Sequence, residues 1–260
     1  MDGASQSLPE SRDQDTTHPM RLDRYLESRL GCSARSVRMM LAARRIRLNG
    51  APATDARQQV SHFCRIEADN DVLQAREPVY LMLHKPRGCV SATRDDTHPS
   101  VLGLVDHPQR EELHLVGRLD FNTTGLLLLT NDSRWSSAIT LPERRIPKTY
   151  RVETRDEITP EYAERFREGI YFRHEDLRTR PATLEVLGPR LALLTLCEGR
   201  YHQVKRMFGS FRNPVLALHR ESVGPLRLDE SLAPGQYRDL GAAEVACLRG
   251  QAPTGTEPAT

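Results

Sequence analysis

No pair of cysteines in this 260-residue chain has the spacing of a metal site or a disulfide framework: the five stand at positions 32, 64, 89, 197 and 247, with no C-x-x-C among them. That argues against zinc ribbons and small secreted scaffolds and fits a reducing compartment. Long apolar runs are missing as well, since none approaches the ~18 residues of a membrane span. The opening M-D-G-A-S-Q-S-L-P-E has neither a basic n-region nor an apolar core, so no secretory leader is expected and a soluble, cytoplasmic protein is. Charge of one sign is not in excess. Thirty-seven Lys and Arg against 35 Asp and Glu leave a net charge of +2, so a polyanionic partner would have to be met by local clustering. What is present is ordinary globular composition, 38% hydrophobic and 28% charged, in a chain long enough for a medium domain and a small one.

Residues 1–19 are polar, acidic and aperiodic, and a disordered tail is expected there, as it is for the polar end at 251–260. Met20 stands directly before structured-looking sequence, so initiation at Met20 is an open alternative. From there Leu22, Leu26 and Leu30 recur at helical spacing up to Gly31, and Ser33 is placed to cap a second helix carrying Val37, Met40 and Leu41 inward. I-R-L-N-G then reads as a strand entering an Asn-Gly turn. Between Met20 and Arg65 ten arginines, among them Arg21, Arg35, Arg38, Arg44 and Arg45, face only three acids, and no lysine occurs. Guanidinium forks phosphate in a bidentate way, so this stretch is expected to contact an RNA backbone. A domain over 20–66 is followed by an acidic stretch, 67–78, expected to be a linker, and a larger domain is expected over 79–250.

The second region is organised around His114 to Thr130, H-L-V-G-R-L-D-F-N-T-T-G-L-L-L-L-T. Leu113, Leu115 and Leu126 to Leu129 are apolar segments too short for buried helices and suited to two core strands, with a polar loop between them. A carboxylate on a loop held by two buried strands is rigidly aimed, which makes Asp120 a candidate for catalysis. Upstream, V-Y-L-M-L-H reads as a strand leading into K-P-R-G, a shaped turn that could bring Lys85 near a phosphate. His98 and Asp96 invite a metal reading, but no third ligand stands at a suitable spacing. Downstream, Asp132 can cap a helix holding Trp135 and Ile139, K-T-Y-R-V alternates as a strand, and Pro160 opens a helix closed by Gly169. A hairpin around Gly188-Pro189 is followed by a helix with Val204 and Phe208 inward. Strands and helices do not alternate regularly, so the fold class is α+β, with a mixed, largely antiparallel sheet flanked by helices.

The block Gly117 to Thr130, G-R-L-D-x-x-T-T-G-L-x-L-x-T, resembles the catalytic-aspartate motif of the RsuA-like branch of the pseudouridine synthases. K-P-R-G at Lys85, D-T-H-P at Asp96, K-T-Y at Lys148 and H-Q-V-K at His202 extend that resemblance, and R-L-D-R-Y-L with the later N-G resembles the S4 RNA-binding domain, a helix-helix-strand module. One departure is Ser133, where the family often has glycine. The likeness implies isomerisation of a uridine in ribosomal RNA with no cofactor. Asp120 would be the nucleophile or base, Lys205 its cationic partner with Arg206 as the alternative, and Tyr150 the aromatic against the target base. Arg118 would fill the space left by the flipped nucleotide, an extrusion that costs about a few kcal/mol. Lys85, Arg200, His202 and Arg220 lie in matched segments and are candidate phosphate contacts. Tyr201, His202 and Lys205, with L-H-R-E from Leu218, resemble the small-subunit enzymes, so small-subunit (16S) rRNA is the expected partner, without metal or membrane, for a monomer. Two alternatives stay open: a synthase for large-subunit rRNA, and a non-catalytic S4-type assembly factor.

Overall fold

The computed structural model describes residues 20–173 and 175–249; the stretches expected to be tails lie outside the described residues. The chain divides between Pro78 and Val79 into two units.

In the first unit, helix α1 (Leu22–Leu30) ends at Gly31, and the Ser33 side chain accepts the Ser36 N–H to open α2 (Ala34–Ala42). Leu22 and Leu26 of α1 and Val37 and Leu41 of α2 share a small core with Ile46, Leu48 and Ile66. Strand β1 (Ile46–Leu48) pairs antiparallel with β2 (Ile66–Ala68), which pairs in turn with β3 (Asp71–Gln74). The expected linker is therefore corrected: Glu67 and Ala68 belong to β2, and 71–74 form β3. Asp69 and Asn70, both at positive φ, turn between the two strands. The acids of a tight turn resemble a solvated linker in composition, and so hid the hairpin.

The second unit is built on one nine-stranded sheet. Its strands are β4 (Tyr80–Lys85), β5 (His114–Val116), β6 (Thr124–Thr130), β7 (Lys148–Thr154), β8 (Thr183–Gly188), β9 (Leu191–Leu196), β10 (Val215–Val223) and β11 (Tyr237–Asp239). They run in the order β8-β9-β7-β10-β6-β4-β11, with β5 also on β6 and the short Leu226–Arg227 on β10. All these pairings are antiparallel except β6 with β10. Helices α3 (Ser133–Thr140), α4 (Pro160–Glu168), α5 (Gln203–Gly209) and α6 (Ala242–Arg249) cover both faces.

The run Leu126 to Leu129 follows from this layering. Leu127 and Leu129 join Leu83, Val152, Phe166 and Phe208 on one face, while Leu126 and Leu128 join Met82, Trp135 and Leu248 on the other. A strand covered on both faces reads as continuously apolar. Asp132 accepts the N–H groups of Arg134 and Trp135, so α3 is capped with Ser133 at its first position and no glycine is required there.

The pairing of β6 also creates an opening. From Gly125 to Thr130 one edge of β6 faces β4, whereas the other edge faces β5 over Leu128 to Thr130 and β10 over Thr124 and Gly125. The β5–β6 loop leaves the sheet where that second edge changes partner.

Candidate active site

The loop from Gly117 to Thr123 is held almost entirely through its backbone. The Ser91 hydroxyl donates to Leu119 O at 2.7 Å and accepts the Leu119 N–H at 3.1 Å. Gly88 N–H reaches Phe121 O at 3.0 Å. Lys85 is fully buried, and its ammonium donates to the carbonyls of Pro86, Phe121 and Thr123 at 3.0, 3.2 and 2.9 Å. The expectation that Lys85 contacts phosphate is thus overturned. All three of its donors are taken by backbone carbonyls, and burial lowers its pKa. K-P-R-G serves as the staple of the loop that carries Asp120. The D-T-H-P block reaches the same loop differently: Asp95, rather than Asp96, caps Thr97 and His98, and the His98 ring meets the edge of Phe121.

Asp120, so anchored, points at α5. Lys205 Nζ stands 2.8 Å from its Oδ2, and His202 Nε2 stands 3.6 Å from Oδ1. Arg206, the alternative partner, faces away: it pairs with Glu175 and stacks over the Phe172 ring at 3.7 Å. The entry of α5 is set by a group that no motif or spacing singles out. Glu198, buried, accepts from Gln203 Nε2 at 2.6 Å, from Arg180 N–H at 2.9 Å and from Arg200 Nε at 3.1 Å. Gln203 in turn accepts the Arg200 N–H. Arg200 is therefore occupied in part by Glu198, and His202, at φ 49°, begins the helix with its ring stacked on exposed Tyr201.

These groups open on a cleft of about 640 Å³, lined also by Tyr150, Arg118, Lys148, Arg180 and Arg220. That size lies in the ~300–1,000 Å³ range of sites that enclose a small-molecule-sized ligand. Tyr150 is buried on β7, and Arg118 is exposed at the mouth. Arg220 corrects a further expectation. At 2% exposure it lies in the wall of the cleft, too deep for a surface phosphate contact, with Nε donating to Leu126 O at 2.8 Å. Beside it burial, reinforced by the Arg220 charge, pushes the Lys148 pKa down to about 8.

In the first unit the arginines divide. Arg21 and Arg45 pair with Asp23 and Asp69, whereas Arg35, Arg38 and Arg44 are exposed and have no carboxylate partner among the described residues.

Comparisons with known proteins bear on both units. Residues 79–210 match the family described as RNA pseudouridylate synthase, and residues 20–63 match the S4 domain. A ribosomal small subunit pseudouridine synthase A from Pseudomonas aeruginosa is 53% identical over 230 residues, 88% of this chain and 100% of that protein. The protein of the same description from Escherichia coli is 41% identical over the same shares. Among solved structures, a pseudouridylate synthase crystal structure superposes with a TM-score of 0.65 at 39% identity, covering 88% of this chain and 99% of the other.

Proposed function

We propose, from the premise that this chain belongs to the RNA pseudouridylate synthase family, that it isomerises one uridine of small-subunit ribosomal RNA and that Asp120 is the carboxylate that does it. The observation that supports this best is the Asp120–Lys205 pair, 2.8 Å apart at the mouth of a nucleotide-sized cleft. Isomerisation breaks the ribose C1′–N1 bond and forms C1′–C5; the proton on C5 leaves and N1 gains one, so atoms balance without an added group. The protein has to supply a positioned carboxylate as nucleophile or base and a place for the loose base. Asp120 sits on a loop with little freedom, and Tyr150 lines the space a turning base would occupy. A uridine in folded RNA must first be extruded, and exposed Arg118 at the mouth suits the vacated stack. Arg200, His202 and Tyr201 lie on the same rim, where the strand leading to the flipped nucleotide would pass.

The small-subunit target rests on the descriptions of the relatives from Pseudomonas aeruginosa and Escherichia coli, whose full lengths this chain matches. Deleting the gene and mapping pseudouridines across both rRNAs by carbodiimide primer extension tests it. Loss of one small-subunit modification is the expected result; loss of a large-subunit or transfer-RNA site instead would overturn the target.

For the first unit we propose RNA-backbone contact through the arginines that have no carboxylate partner among the described residues. Changing Arg35, Arg38 and Arg44 together to Gln should reduce the slope of log K against log salt by about 2, at ~0.7–0.9 per phosphate contact. An unchanged slope would take α2 and the turn after it out of the RNA interface.

A further inference from the structure

Three buried side-chain polar atoms lack a hydrogen-bond partner among the described residues: Thr123 Oγ1, Arg180 Nη1 and Arg220 Nη2. All three residues line the cleft that holds Asp120. Buried polar groups are nearly always paired, and orphans concentrated in one cavity point to a ligand that completes them. Two of the three belong to guanidinium groups, which only donate. The missing partner is therefore an acceptor.

Arg220 is the more sharply defined of the two. Its backbone is fixed on one side by Gly125, in the parallel pairing of β6 with β10, and on the other by Tyr150 of β7. Gly125 has no room for a side chain, because a Cβ there would stand 2.3 Å from Arg220 O. Nε is tied to Leu126 O, so the guanidinium is held with Nη2 unpaired. Arg220 is 2% exposed and forms part of the cleft wall, whereas Arg118, lining the same cleft, is exposed and open to the phosphates of an RNA strand.

On the reading that the cleft takes a flipped uridine, we propose that Arg220 determines base specificity by donating its free Nη2–H to the O4 carbonyl of uracil. Uracil carries carbonyl acceptors at positions 2 and 4. Cytosine keeps the first but has an amino donor at position 4. A rigid donor facing position 4 therefore accepts uracil and leaves cytosine with two opposed donors, the kind of unpaired contact that discriminates most strongly. Discrimination at O2 would not separate the two bases, which assigns the contact to O4.

The test is single-turnover conversion by the full-length protein of an rRNA fragment carrying uridine, 4-thiouridine or 2-thiouridine at the target position. Sulfur accepts hydrogen bonds weakly, so 4-thiouridine should react more slowly by at least about tenfold, the effect of one lost bond to a charged donor. 2-Thiouridine should react close to the uridine rate. In Arg220→Met, uridine should itself be slowed about tenfold and the penalty for 4-thiouridine should vanish, with RNA affinity within about twofold of wild type. The thio-substituted RNAs read the contact in the wild-type protein, so a variant that fails to fold leaves that arm decisive. Equal rates for uridine and 4-thiouridine, or slowing by 2-thiouridine alone, overturn the assignment to Arg220 while sparing the proposed activity. A wild-type protein that converts uridine in no rRNA fragment overturns the activity and this inference with it.

Discussion

Asp120→Asn should reduce pseudouridine formation by at least about 10³-fold, the scale on which loss of a reacting group is felt. It should change RNA affinity by less than about tenfold, or ~1.4 kcal/mol. The substitution keeps shape and removes the carboxylate. The loop should not move, because the hydrogen bonds that hold Leu119, Phe121 and Thr123 are made to their backbone: Lys85 to the carbonyls of Phe121 and Thr123, Ser91 to Leu119, and Gly88 N–H to Phe121 O. Lys205 keeps an oxygen acceptor at its present 2.8 Å, so the α5 entry keeps its partner too. The melting temperature should accordingly stay within about 2 °C of wild type, less than 1 kcal/mol for a unit of this size. Turnover of rRNA by the Asn variant within tenfold of wild type would remove Asp120 from the chemistry. A large fall in melting temperature would show instead that the side chain, and not only the backbone, holds the loop.

Why Asp120 could be singled out from sequence, while the residues around it were placed less well, has a physical basis. A strand, a polar loop and a second strand in immediate succession are a local pattern, and Leu115 and Leu126 to Leu129 announce both flanks. Lys205 and Arg206 are adjacent in sequence, and no composition rule separates them. On α5 successive residues point about 100° apart, so only one could face Asp120. For Lys85 a signal is present in the sequence: Leu81, Leu83 and Lys85 alternate on one face of β4, and Leu81 and Leu83 on that face belong to the core that holds Leu127 and Phe208. A lysine sharing the face of two core leucines has no solvent to reach, so its donors must find carbonyls. Leu218 and Arg220 on β10 repeat the pattern, and Arg220 is likewise interior. Ser91, Glu198 and Gln203 gave no such sign. Ser91 meets Leu119, and Glu198 meets the Arg180 N–H, across segments far apart in the chain, and neither periodicity nor spacing encodes those contacts; Gln203 meets Glu198 and the Arg200 N–H within its own stretch, but nothing in that stretch marks Glu198 as buried.

The second large effect is expected at Gly125, which joins the Asp120 loop to the sheet. A Cβ built there would stand 2.3 Å from Arg220 O, 2.6 Å from Arg220 N and 2.9 Å from Arg220 C. These are backbone atoms of the strand that pairs with it, so no side chain can swing aside, and φ of +108° adds strain of its own. Gly125→Ala must therefore part β6 from β10 at their only register contacts, His219 with Thr124 and Arg220 with Gly125. The expected loss is at least about 3 kcal/mol, the scale of overpacking combined with strain at a special φ. At ~2–4 °C per kcal/mol the melting temperature should fall by about 6–12 °C. Gly235→Ala supplies the comparison, because φ there is also positive, +90°, and nothing lies within 4 Å of the added carbon. That variant should cost only about 1–2 kcal/mol, the backbone term alone. Thermal melts of the two variants separate the causes. If Gly125→Ala melts no lower than Gly235→Ala, the close approach of the strands carries no energetic weight. If it melts lower as expected, its residual activity should fall further than the fraction unfolded explains, because opening this seam displaces both the Arg220 guanidinium and the end of the loop that aims Asp120.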